Sequence, residues 1–154
     1  MNNPIAIIAI CVIVAFIVFN FIRQTNRLNR SKLGKVMAIY KNVRYNEKLL
    51  KKFGYKGSAD ARFRTDAWDA FKPDIDFLPA DRTEELNKLF DQVHRINNEI
   101  GSSIENRGET ALYGVNVDTL QDPLLNTRKY LDHWIRVNYD NPKVAPKRPG
   151  FFGF

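Results

Sequence analysis

Polar side chains are missing from the first part of the chain and periodic in the rest. From Ile5 to Phe19 the thiol of Cys11 is the one group that is not hydrocarbon, and Phe21-Ile22 carry the run past Asn20 to Arg23. A helix over the nineteen residues Pro4 to Ile22 would rise about 28 Å, close to the hydrocarbon thickness of a bilayer. Thirteen of these residues are Ile, Val or Phe, which favours insertion by roughly 4–8 kcal/mol. Pro4 suits a first helical turn, where its missing N–H costs nothing. A cleaved signal peptide fits less well. Met1-Asn2-Asn3 carries no basic side chain, and no small-x-small site follows the run. A core helix would need a polar face. Residues 1–22 are therefore expected to form a permanent transmembrane anchor.

Beyond the run, the apolar residues return at helical spacing. Leu33, Val36, Met37, Tyr40, Val43, Leu50 and Phe53 predict a helix from about Ser31 to Phe53. It can run on from the span, and Gly34 is its weakest point. Phe63, Ala67, Ala70 and Phe71 predict a short helix over residues 61–71, and the two prolines between Lys72 and Ala80 predict a loop. Asp81 with Glu84 three residues on reads as a helix cap. Leu86, Leu89, Phe90, Val93, Ile96, Ile100 and Ile104 then form one stripe to about Asn106, suited to a bundle core or a coiled-coil partner. Asp122-Pro123 reads as a further cap, opening a helix to about Asn138 with Leu124, Leu131, Trp134, Ile135 and Val137 on its inner side. No strand pair and no repeat is visible. The expected class is all-α: a single transmembrane helix, a basic juxtamembrane helix and a small helical bundle.

Charge divides the chain in the same places. Residues 23–56 hold eleven Lys/Arg against the lone acid Glu47, and residues 57–142 hold ten basic against sixteen acidic side chains. The net charge of +7 thus arises from one segment next to the apolar run and a short tail. The sequence divides into a 1–22 anchor, a 23–56 basic amphipathic helix, a 57–141 acidic helical domain and a 142–154 Pro/Lys-rich disordered tail. Positive charge is retained on the cytoplasmic side. The expected placement is in the cell membrane, single-pass, with the N-terminus outside and the helical domain cytoplasmic. Arg23, Arg27, Arg30, Lys32, Lys35, Lys41, Arg44, Lys48, Lys51 and Lys52 are the expected contacts with anionic lipid headgroups. Tyr40, Tyr45 and Tyr55 among these cations also allow nucleic-acid binding, which tethering at a lipid surface disfavours.

Catalytic signals are sparse. With Cys11 as the sole cysteine there is no disulfide framework and no thiolate metal site. His94 and His133 have no second ligand at helical spacing, and could share a metal with Asp91 or Asp132 only if two helices align them. The acids Asp66, Asp69, Asp74 and Asp76 lack the glycine and final glutamate of a calcium loop. No catalytic residue, cofactor or metal site is assigned, and an enzyme is the minority reading.

The tail, NPKVAPKRPGFFGF, has three prolines and ends on Phe151, Phe152 and Phe154. These three are the expected docking residues for a protein groove, with insertion at the membrane surface as the competing use. Together the features describe a single-pass membrane-anchored helical adaptor or accessory subunit, tethering a protein partner or a second copy of itself at the membrane face. The alternatives are a membrane-anchored metal-binding or hydrolytic domain using His94, His133 and nearby acids, and a membrane-tethered nucleic-acid binder.

Overall fold

The computed structural model describes the backbone of residues 4–53, 62–107, 115–141 and 143–145, and the side chains of these residues except 4–9, 24–30 and 106–107. Every regular element among them is helical. Helix α1 spans Pro4–Arg30, α2 Lys32–Phe53, α3 Asp66–Phe71, α4 Ala80–Arg107 and α5 Gln121–Asn138; 3-10 turns cover Lys72–Asp74 and Asp118–Leu120.

Helix α1 continues past the apolar run to Arg30, and the break from α2 falls at Ser31. The Ser31 hydroxyl accepts the Gly34 N–H at 3.0 Å, satisfying one of the unpaired donors at the start of α2. A serine cap therefore sets the joint.

Contacts across the bundle fix its topology. Leu33, Tyr40 and Glu47 of α2 meet Val144, Asp132 and Arg128 in turn, so α5 runs antiparallel to α2. Residues 62–78 also return antiparallel along α2. Phe53 stacks near Phe63, Asn46 holds Arg64, Asn42 holds Ala67, Lys35 pairs with Asp74, and Lys32 lies over Phe77. Helix α4 runs the other way past that return segment, with Phe90 on Trp68, His94 on Asp69 and Asn97 on Phe63. The result is an up-down-up-down bundle whose second rod is a non-helical segment, a short helix and a 3-10 turn.

That second rod differs from the expected helix over residues 61–71, because residues 62–65 are not helical and α3 begins only at Asp66. Two asparagines account for the difference. Asn97 of α4 accepts the Phe63 N–H at 2.9 Å and donates to the Phe63 carbonyl at 2.8 Å. Asn46 of α2, fully buried, makes the same pair of bonds with Arg64, at 2.6 and 2.9 Å. Each of the two residues is thus served by one amide, from α4 and from α2 in turn. Asn42 extends the clamp by accepting the Ala67 N–H at 2.9 Å.

The core forms around Trp68 and Phe90, stacked at 5.0 Å and nearly parallel. Val36, Ile39, Val43, Ile75, Leu86, Leu89, Ile100, Leu120, Leu124 and Leu131 complete it. The α4 stripe is thus covered from within the chain, which removes it as a surface for a coiled-coil partner. Packing also crosses the compositional boundary near residue 57, since α2 contributes Val36, Ile39 and Val43 to the same core as α4 and α5. Val137, expected on the inner side of α5, is 65% exposed.

Both expected acidic caps are replaced. Helix α4 begins at Ala80, and the Pro79 carbonyl accepts from Arg82 and Thr83, so Asp81 lies inside the first turn beside Arg82. Helix α5 starts directly from the preceding 3-10 turn, which puts Asp122 and Pro123 in its first turn with no side-chain cap. Pro123 is tolerated there because the first-turn N–H groups lack intrahelical acceptors. The loop after α3 tucks Ile75 and Leu78 into the core.

The clamp gives a direct prediction. Asn46→Ala leaves the Arg64 N–H and carbonyl without their partner, and unpaired buried groups cost about 1–3 kcal/mol each. Chemical denaturation of the full chain in detergent should show a loss of about 2–4 kcal/mol. A loss under about 0.5 kcal/mol would show that the second rod holds without its clamp.

Candidate functional site

Helix α1 carries bare hydrocarbon. The large apolar side chains from Ile10 to Ile22 are 50–69% exposed, and they point to all sides of the helix. Among the described residues, no helix is long and apolar enough to cross a membrane. The described side chains begin at Ile10, whereas the apolar run begins near Pro4.

The ten expected lipid-contact cations fall into three groups. Arg23 is exposed at the end of the apolar run, while the side chains of Arg27 and Arg30 lie outside the described residues. Lys32 and Lys35 are engaged within the bundle: Lys32 lies 5.1 Å above the Phe77 ring and Lys35 pairs with Asp74 at 2.8 Å. Lys41, Arg44, Lys48, Lys51 and Lys52 are exposed and share the face of α2 that turns away from the core. Arg64 joins them by lying 4.2 Å over the Tyr45 ring. Glu47, the one acid of this helix, is turned inward to an ion pair with Arg128 of α5 at 3.3 Å, and its other oxygen meets Lys51. The outer face is therefore left cationic. Tyr40 donates to Asp132 from a half-buried position, a packing role.

The chemistry-bearing residues do not converge. His94 Nε2 lies 2.9 Å from Asp69 Oδ1, whereas His133 is exposed on α5. No group of three His, Cys, Asp or Glu side chains is placed to hold a metal among the described residues. The acids of residues 66–76 are shared out between neighbouring elements, Asp66 to Asn42, Asp69 to His94 and Asp74 to Lys35. They fasten the second rod to α2 and α4. Asp91, His94, Arg95, Glu99 and Ser102 border an open groove along α4. The described Cys11 is exposed on α1.

One polar atom stands out in the groove between α4 and α5. The Tyr130 hydroxyl is buried with no hydrogen-bond partner, and Arg82 lies 5.0 Å over its ring. Burial raises the phenol above its ordinary value, and the nearby Arg82 charge opposes that shift only in part. Arg82 itself is held protonated by Glu85, and Glu84 is kept ionised by Lys88. These surface pairs are exposed and contribute little to stability.

A feature the sequence reading missed lies just after α5. The Asn141 side-chain oxygen accepts the Lys143 N–H, and its carbonyl accepts from Val144 and Ala145. This turn brings the Val144 carbonyl to the Leu33 N–H at 3.3 Å, where it satisfies another unpaired donor at the start of α2. Phe151, Phe152 and Phe154, the expected docking residues, lie outside the described residues, as does the expected disorder of the tail. The Asn-Pro pair at 141–142 signals a turn, but its destination depends on where α2 begins in space. Compared with known protein families, with curated proteins and with solved structures, the chain matches none of them.

The orphaned hydroxyl predicts that Tyr130→Phe is neutral or stabilising by up to about 1 kcal/mol at neutral pH. Because the folded chain holds this proton more tightly than the unfolded one, its contribution is complete below the unfolded value near 10. That contribution is lost as pH rises through the higher folded value. Denaturation midpoints from about pH 8 to about pH 11 should therefore fall less steeply for Tyr130→Phe than for the parent chain. Parallel pH profiles would refute the shift.

Proposed function

We propose that the chain is a membrane-anchored helical adaptor or accessory subunit. In this reading α1 is the anchor, the cationic face of α2 meets anionic lipid, and the bundle presents a binding surface to a protein partner. The observation that carries it is the all-round exposure of Ile, Val and Phe on α1. Each such side chain is worth about 1.5–3 kcal/mol when removed from water. A cation near an anionic surface adds only about 1 kcal/mol. Insertion of α1 therefore supplies the attachment, and the basic face adjusts how the bundle lies.

Geometry limits which cations take part. Helix α2 is about 33 Å long, and the screening length at physiological salt is about 8 Å. With α2 upright, only the cations from Arg23 to Lys35 feel the lipid. With α2 lying along the surface, Lys41, Arg44, Lys48, Lys51 and Lys52 join them. Their alignment on one outward face supports the second arrangement. The charge division supports a cytoplasmic bundle. Function follows from tethering, because a partner held beside the bilayer gains effective concentration without new contacts.

In intact membranes the full chain should resist carbonate extraction, and the double variant Val14→Arg/Ile17→Arg should be released by it. Cross-linking, detergent purification and mass spectrometry should then recover one stoichiometric protein with the parent chain and lose it with the released variant. Extraction of the parent chain would remove the anchor. A firmly anchored chain that cross-links to nothing in stoichiometric amount would remove the adaptor.

A further inference from the structure

The middle of α2 gathers cations around one aromatic ring. Lys41, Tyr45, Lys48 and Lys52 follow one another at helical spacing, so they line one exposed stripe of the helix. Arg64 of the second rod lays its guanidinium 4.2 Å over the Tyr45 ring, between Lys41 and Lys48 along that stripe. The Arg64 N–H and carbonyl are both held by the buried Asn46, the residue after Tyr45. The guanidinium is thus positioned twice, by a clamped backbone and by a ring. Among the described residues, Lys41, Lys48, Lys52 and Arg64 have no carboxylate partner. Two acids in this part of the bundle are directed elsewhere, Glu47 to Arg128 and Lys51, and Asp66 to Asn42.

Packing does not require this arrangement, since like charges drawn together repel. A planar guanidinium fixed on a ring presents a fork of N–H donors, the geometry that grips phosphate oxygens in pairs. We propose that the stripe is a phosphomonoester site, in which Arg64 binds the phosphate of a lipid headgroup as a bidentate pair and Lys41 and Lys48 add their ammonium groups on either side. The proposal rests on the reading above that this face of α2 meets lipid, and adds the headgroup chemistry.

Charge selects the monoester. It carries about −1.5 to −2 charges near pH 7 and three strong acceptor oxygens. A phosphodiester headgroup offers less of both. Lysines one turn before and one turn after a fixed guanidinium suit the more highly charged group. Position gives the contact a consequence. Tyr45 lies fourteen residues beyond Ser31, about 21 Å along the helix axis. That exceeds the screening length of about 8 Å, so the site meets a headgroup only when α2 lies along the bilayer. Binding therefore holds the bundle flat. A lipid is favoured over a free phosphate ester because tethering gives headgroups a high effective concentration at this face.

The test uses the full chain with Cys11→Ser in phosphatidylcholine vesicles. A fluorophore is placed at Phe16→Cys on α1 or at Ala70→Cys, which is exposed one turn after Asp66 on the side of the second rod that meets α2. The vesicles carry phosphatidic acid, a monoester, or phosphatidylglycerol, a diester, at equal surface charge and nitroxide-labelled high on one acyl chain. Quenching at 70 should reach half its maximum at about tenfold less phosphatidic acid than phosphatidylglycerol, while quenching at 16 should not distinguish them. Arg64→Lys keeps the charge and the backbone clamp but loses the fork, so it should melt like the parent and lose the preference. Equal quenching by the two lipids at 70, or a preference that survives Arg64→Lys, would overturn the site and leave a diffuse electrostatic contact. Release of the phosphatidic acid signal by glycerol 3-phosphate at equal phosphate concentration would overturn the lipid in favour of a free ester. Release by a single-stranded oligonucleotide would overturn it in favour of nucleic acid. Quenching at 16 with none at 70 would remove the site and keep the anchor, whereas no quenching at 16 would remove the anchor itself.

Discussion

Two side-chain amides hold this bundle in register. The Phe63–Arg64 segment is not helical, and a non-helical chain inside a helical bundle has no neighbouring strand to take its hydrogen bonds. Asn97 and Asn46 act as that neighbour, one from α4 and one from α2. Each uses its carbonyl and its amino group together, so neither backbone group nor side chain is left unpaired. Once the segment is fixed, Phe63 reaches Phe53 at one end and Trp68 lies flat on Phe90 in the middle. Asp69 and Asp74 then fall opposite His94 and Lys35. The hydrophobic burial is larger in total, but it is indifferent to small slips of register; the paired amides are not.

The clamp has a consequence for the molecule's polarity. By drawing residues 62–78 back along α2, it brings the start of α4 to the end from which α1 departs, and α5 returns to that same end. Phe77, Trp134 and the turn at Asn141 gather around the first turn of α2. One end of the bundle thus carries the joint to α1 together with the chain's departure toward its C-terminus. The opposite end carries neither. A tethered protein with this arrangement has a near side and a far side.

Much of the helical pattern was readable because burial imposes a period. The α4 stripe from Leu86 to Ile100 is buried throughout, and the limits of α2 match its apolar spacing to within a residue. Caps were less readable. Asp81 and Asp122 have the right identity for a cap, but a carbonyl from Pro79 and a preceding 3-10 turn took over the role. The non-helical segment was not readable at all. Phe63, Ala67 and Ala70 have helical spacing, and the groups that override it reach across eighteen or more residues, from α2 and α4. Asn42 and Asn46 break the apolar pattern of α2, and buried polar residues at core positions were the one local hint.

The sequence by itself determined that the chain is helical, that an uninterrupted apolar run adjoins a basic segment, and that charge divides the molecule along its length. These are properties of neighbouring residues, and hydrophobic periodicity and charge counting report them directly. Only the tertiary structure decided which residues converge. It turned Glu47 inward and left the outer face of α2 cationic, shared the acids of residues 66–76 between two helices, and tied Val144 to Leu33. Such pairings join residues far apart in the chain, and local spacing carries no record of the direction in which each helix returns.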